Sequence, residues 1–243
     1  MLPDNHACNA RNIYPGTVYF EKEDLGRPSE DIYCEDIEID YKSDDLTYET
    51  ILNLIRGRYS PHFPREKRLL TTPNQRLFIF MNGHGGENFF KIQDTEVVHS
   101  EDFAKVFDEL HLKQLYSEVL LILDSCEALS LFDQVEAPNI LMVGTSIHGQ
   151  HALSNQLDGG LNVYLNDRFS YHFVKFLESK QFTRGTKISE FPSLFTNAKL
   201  LSDLAMKSTL SGNKTAADIL LADYIPIDKQ DVIKEDVKVY DYD

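Results

Sequence analysis

Apolar residues along this chain follow two rhythms. Three short apolar runs, RLFIFMN (76–82), EVLLILD (118–124) and PNILMVGTS (138–146), stand between polar stretches. They predict strands buried on both faces of a sheet. Between the first two runs lies SEDFAKVFDELHLK. Ser100 there offers an N-cap, and Phe103, Val106, Phe107 and Leu110 follow at helical spacing. The stretch from Leu46 to Gly57 is a second amphipathic helix, closed by its glycine. DIEIDY (36–41) alternates acidic and apolar positions and predicts a half-buried strand. FFKIQDTEVV predicts a small hairpin, ALSLF a short helix, and LNVYLNDRFSYHFVKFLES (161–179) one long helix. Another helix is expected near FPSLFTNAKLLSDL, and ADILLADYIPI (217–227) reads as a last strand. Residues 1–35, punctuated by Asn, Pro and Gly, and 60–75, with three prolines, read as irregular.

Short apolar strands alternating with helices predict an α/β fold, a mainly parallel sheet with helices on both faces. Residues 1–225 are assigned to that domain and 226–243 to an acidic tail. Ligand sites in such sheets form at the carboxyl ends of strands. Two strands end in residues with chemistry: RLFIFMN runs into Gly83-His84-Gly85-Gly86, and EVLLILD into Ser125-Cys126. If these strands are neighbours, His84 and Cys126 leave the same edge. A thiolate is a nucleophile, and an imidazole beside it can take or hold the proton. The backbone N–H groups of Gly85 and Cys126 are candidates for an oxyanion hole.

Composition narrows the partners. The 243 residues carry a net charge of −15, which argues against nucleic acid held by phosphate contacts and against anionic lipid heads. No apolar run is long enough to span a bilayer, and the first residues lack the features of a signal peptide. Of three cysteines, Cys8, Cys34 and Cys126, at least one must be free, reactive or bridged to another chain; a bland buried thiol also suits the apolar setting of Cys126. Asp36, Glu38 and Asp40 share one face of the predicted strand, which suits either Ca²⁺ or plain solvation. Asn213-Lys214-Thr215 is an N-glycosylation sequon, meaningful only in the secretory pathway.

Taken together, FMNGHGG, LLILDSCEA, PNILMVGTS and LNVYLNDRFSYHFVKFLE resemble the catalytic subunits of glycosylphosphatidylinositol (GPI) transamidases, relatives of legumain and the caspases. The resemblance runs from MLPDNHACN to about residue 178. It implies a caspase-like sheet, with Cys126 as nucleophile, His84 as its base and the Gly85 N–H in the oxyanion hole. It implies Ser154 and Asp167 as lining of the substrate pocket. Ala152 stands where the family has a serine. It further implies a structural Ca²⁺ at Glu38 and Asp40, with no cofactor needed for the chemistry, and a disulfide from Cys8 to a partner subunit.

The implied reaction removes a C-terminal signal peptide from a proprotein through a thioester and attaches a GPI lipid. Its setting is the luminal side of a multi-subunit complex in the endoplasmic reticulum membrane. In that family a signal peptide, a first strand, a helix and a second strand precede MLPDNHACN. The chain is therefore expected to be N-terminally shortened, with RLFIFMN left as a sheet edge. The alternatives are a legumain-like endopeptidase cleaving after Asn or Asp, and a non-catalytic scaffold.

Overall fold

A computed structural model of the chain describes residues 1–2, 6–10, 12–21, 31–33, 37–93, 95–159 and 162–227. In chain order the elements are helix α1 (Tyr48–Ile55), strands β1 (Arg76–Asn82), β2 (Gly85–Gly86), β3 (Phe89–Ile92) and β4 (Glu96–His99), helix α2 (Ser100–Leu112), and strands β5 (Glu118–Asp124), β6 (Ile140–Gly144), β7 (Ser154–Asp158) and β8 (Val163–Asp167). Helices α3 (Arg168–Leu177), α4 (Phe191–Leu194) and α5 (Asn197–Leu200) and strand β9 (Ala205–Ser208) complete them.

The main sheet has the order β1-β5-β6-β9. β1, β5 and β6 run parallel, and β9 closes the far side antiparallel. The α/β expectation is met. β5 is central and all seven of its residues are buried, which is why its sequence is apolar without alternation. Its side chains still alternate between two cores. Val119, Leu121 and Leu123 join Leu52 and Ile55 of α1 and Phe103, Val106, Phe107 and Leu110 of α2. Leu120 and Ile122 join Phe169, Phe173 and Phe176 of α3 together with Phe191, Phe195, Leu200, Ile219 and Leu221. β1 forms one edge among the described residues, as expected, and its Phe80 is 39% exposed.

The predicted hairpin is present as β3 and β4, with β2 added to it. α1 starts where Thr47 accepts the Thr50 N–H, two residues inside the expected range. At α2 the cap position falls on His99, not Ser100, and Asp102 returns a carboxylate to the His99 N–H. ALSLF forms a 3₁₀ turn, Ala128–Phe132.

Four further expectations need correction. Residues 37–41 are irregular, with Ile37 46% exposed; among the described residues the ladder contact beside them is a bridge from Lys42 to Leu2, and no described strand pairs with the alternating run. Residues 161–179 are not one helix: Val163–Asp167 pairs with Ser154–Asp158, and α3 begins only at Arg168. ADILLADYIPI is not a strand but two 3₁₀ turns, Ala216–Asp218 and Leu221–Asp223, because the place beside β6 is taken by β9. The expected helix near 191–204 appears as the two single turns α4 and α5. Cys34, Asp36 and residues 228–243 lie outside the described residues.

Candidate active site

The parallel register sets the site. Asn82 pairs with Asp124, and the Gly83 N–H donates to the Asp124 carbonyl at 3.1 Å. His84 and Cys126 each follow two residues after these paired strand ends, so both emerge at the same level of the same edge. The loop carrying Cys126 is held on each side. The Ser146 hydroxyl donates to the Ser125 carbonyl at 2.7 Å and accepts the Ala128 N–H at 3.0 Å. Glu127, in left-handed backbone at φ 48°, donates its N–H to the Gln150 carbonyl at 2.9 Å. The Cys126 thiol is half-buried and lies 3.8 Å from the Ala152 carbonyl, its acceptor. Ala152 thus meets the thiol through its backbone.

His84 is exposed, and its carbonyl accepts the Lys91 N–H at 2.9 Å. Hydrogen-bonded pairs alternate along an antiparallel ladder, so the next residue, Gly85, turns its N–H out of the hairpin. Gly85 also packs against the cysteine loop. A Cβ there would lie 2.9 Å from Ser125 Oγ, 3.0 Å from the Phe89 carbonyl and 3.2 Å from the Cys126 carbonyl.

Ser154 and Asp167 come together as a cross-strand pair of β7 and β8, with hydroxyl to carboxylate at 3.1 Å. Asn82 links them to the strand ends: its amide nitrogen lies 2.8 Å from Asp167 Oδ2, 3.2 Å from Asp124 Oδ2 and 3.2 Å from Ser170 Oγ. Asp124 is buried and accepts from Thr145 Oγ1 at 2.9 Å, Ser170 Oγ at 2.8 Å and the Ser170 N–H at 3.2 Å. Ser170 is the third residue of α3, so a carboxylate from another strand caps this helix start. Burial pushes the Asp124 carboxyl above the usual carboxylate range, and the charge of Asp167 pushes the same way; the bonds from Ser170 and Thr145 oppose it. A cavity of about 280 Å³ opens here, lined by Asn82, Ser154, Asn166, Asp167 and Ser170.

The site thus brings His84, Gly85, Cys126, Ser154 and Asp167 to one sheet edge and its flanking hairpin. Asn82 was legible only as the end of a strand, and its bridging role was missed. Ser170 and Thr145 were missed too. The single usable signal was that Asn82 and Asp124 are the polar residues ending two neighbouring apolar runs. Glu38 and Asp40 stand apart. Both are exposed in irregular backbone, and among the described residues no group of three or more metal-ligating side chains forms. Two carboxylates would supply only part of the roughly six to eight oxygens that Ca²⁺ takes. Cys8 is exposed, in a 3₁₀ turn spanning His6–Cys8.

The sequence matches the description "Peptidase C13 family" over residues 1–200. The chain belongs to the peptidase C13 family, a family of cysteine peptidases. It is 34% identical over 238 residues to a GPI-anchor transamidase of Saccharomyces cerevisiae, which covers 98% of this chain and 56% of that protein. It is 39% identical to that of Schizosaccharomyces pombe, over 74% of this chain and 46% of the relative. With the human protein it shares 31% identity, over 98% of this chain and 60% of the relative. The chain therefore spans about half the length of these relatives. Among solved structures, caspase-1 from Spodoptera frugiperda superimposes with a TM-score of 0.45 at 10% identity, over 70% of this chain and 73% of that one. Among the described residues, no helix of this C13 peptidase is long and apolar enough to cross a membrane.

Proposed function

We propose that this C13 peptidase is the cysteine-bearing part of a GPI-anchor transamidase. The observation that carries the reading is the placement of His84, Gly85 and Cys126 at the ends of two paired parallel strands, in a chain whose relatives are named as GPI-anchor transamidases over nearly its whole length.

The chemistry follows from the side chains. His84 takes the Cys126 proton as the sulfur attacks the peptide carbonyl of a proprotein. The N–H groups of Gly85 and Cys126 hold the oxyanion. His84 passes its proton to the departing amine of the C-terminal signal peptide, which leaves a thioester on Cys126. The ethanolamine amine of a GPI lipid then attacks the thioester and loses its proton to His84; an amide forms and the thiol is restored. Ser154 and Asp167, fixed by Asn82, line the pocket for the residue at the cleavage point. The reading places the chain on the luminal side of an endoplasmic reticulum membrane complex, with Cys8 bridged to a partner subunit.

The test is a rescue experiment. Cells depleted of their own transamidase catalytic subunit receive this chain behind a signal peptide, or its Cys126→Ala variant, and surface display of a GPI-anchored reporter is read by flow cytometry. Rescue by the parent alone is the expected result. Rescue by both chains would overturn the role of Cys126. Release of a free acid product without added amine or partners would favour a hydrolytic endopeptidase.

A further inference from the structure

We propose that Asn213 carries an N-linked glycan, and that the rim of the sheet opposite Cys126 is therefore open surface in the working assembly. The inference rests on the luminal reading above, because the transferase and its donor act there.

Asn213-Lys214-Thr215 is the one Asn-x-Ser/Thr tripeptide in the sequence. Its middle residue is not proline, so the motif is competent as an acceptor. The fold places it favourably. Gly212 and Asn213 form a turn, and all residues from Ser211 to Thr215 are exposed. Gly212 sits at φ +69° with nothing near its missing Cβ. No hydrogen bond occupies the Asn213 carboxamide among the described residues. A sugar added at its nitrogen breaks no contact of the folded chain.

The neighbours fix where this turn lies. The Ser211 N–H donates to Asn139 Oδ1 at 3.1 Å, just before β6 begins. The Lys214 ammonium lies 2.7 Å from Glu118 Oε2, at the first residue of β5. Both anchors are at the starting ends of strands whose finishing ends hold the candidate site. Seven residues of strand separate them, about 20 Å. The adjoining cleft is lined by polar and charged residues, Asn74, Arg76, Ser117, Glu118, Asn139 and Lys214, a surface that suits a hydrated glycan. The glycan would keep a partner subunit from closing over this rim.

The transfer needs no residue of this chain beyond the tripeptide. The Asn213 side-chain nitrogen bonds to the anomeric carbon of an oligosaccharide carried on a lipid pyrophosphate. The carbon–oxygen bond to the pyrophosphate breaks, the lipid pyrophosphate leaves, and the amide proton goes to base. In the folded chain the Thr215 hydroxyl caps the turn at Ala216–Asp218 by accepting the Ala217 N–H at 3.2 Å. The transferase therefore meets the tripeptide before that cap closes.

The test uses the protein isolated from its own cells. It is treated with an amidase that releases N-glycans in heavy-oxygen water, and the peptide containing residue 213 is read by mass spectrometry. The expected result is a heavy-oxygen aspartate at 213. The Asn213→Gln variant is expected to support reporter display at the parent's level, since the residue lies away from the site. An unmodified Asn213 in protein shielded from protease inside sealed microsomes would overturn the proposal and leave the luminal reading intact. An unmodified Asn213 in protease-accessible protein would overturn both. Failure of Asn213→Gln to support display, with the chain folded and at normal level, would overturn the claim that this rim is idle surface.

Discussion

Gly85 and Asn82 set the geometry of the candidate site without offering a reacting side chain. Gly85 has no room for a methyl group, and two of the three atoms in the way are backbone carbonyl oxygens, which cannot rotate aside. Gly85→Ala is expected to push the cysteine loop off its position. A displacement near 1 Å costs about a hundredfold in rate, and the overpacking costs about 1–3 kcal/mol of stability. Reporter display in the rescue assay, with a melting curve of the same variant, separates the two effects: display is lost while a folded transition remains. Asn82 offers two amide protons to Asp124, Asp167 and Ser170. In Asn82→Ala, Asp167 keeps the Ser154 hydroxyl but loses its donor on the other oxygen. About 1–2 kcal/mol of positioning is lost, and display is expected to fall about five- to thirtyfold at unchanged protein level. The candidate nucleophile, base and oxyanion donor were legible because each follows a strand end, and strand ends show in the sequence as apolar runs stopping at polar residues. The Asn82–Asp167 bridge was not legible, since it joins β1 to β8 across a fold that only long-range pairing creates.

Strands buried on two faces were easy to see, and strands that depend on a hairpin partner were not. β5 and β6 announce themselves because both of their faces are buried and their interior positions are apolar; β1 is as apolar in sequence, but as an edge strand it fully buries only Leu77. The helical rhythm of Phe169, Phe173 and Phe176 is real in α3, but it extends backward through Leu165 and Leu161 at the same spacing. The chain resolves the ambiguity by pairing β8 with β7, which leaves Tyr164 exposed, a sacrifice no local pattern signals. The end of the chain was misread for the opposite reason: Ile219 and Leu221 are buried without being paired in a strand. An ion-pair cluster ties α1 to α2. Glu109 of α2 lies 2.7 Å from Arg58, 2.7 Å from Lys113 and 3.6 Å from Arg56. The hydrogen bond from Arg58 chiefly holds the Glu109 carboxyl below its usual 4.5, with Lys113 adding to it and burial opposing. A carboxyl lowered in the folded state stabilises it above its ordinary value and loses that contribution as pH falls through the lowered one. The cluster is partly exposed, so its worth is about 1 kcal/mol. Glu109→Gln is expected to be less stable than the parent at pH near 7, and the gap is expected to narrow as the pH falls below the usual carboxylate range, read by denaturant unfolding across a pH series.

The whole described molecule hangs on one sheet shared by two cores. β5 and β6 send alternate side chains to opposite faces, so neither core can loosen without exposing residues adjacent in sequence to those of the other. The second core is closed by residues 216–227, which reach it only after the chain has passed β9. There Ile219 and Leu221 are 1% and 0% exposed. The segment is also latched at the sheet's starting edge, where the Tyr224 hydroxyl donates to Glu118 at 2.7 Å; burial and Glu118 together push the Tyr224 phenol well above its usual range. If the two cores form one cooperative unit, damage at 219 and 221 must be felt on the α1–α2 side. Ile219→Ala and Leu221→Ala each remove a buried aliphatic side chain, at roughly 2–5 kcal/mol apiece. Their sum is comparable to the whole stability of a typical domain, about 5–15 kcal/mol. Hydrogen exchange of amides in α2 provides the readout far from the damage. In a single unit, α2 amides lose protection together with those of α3 in the single and double variants, and by the same factor. Loss confined to α3 and the closing segment, with α2 still protected, would show that the sheet separates two independently stable layers.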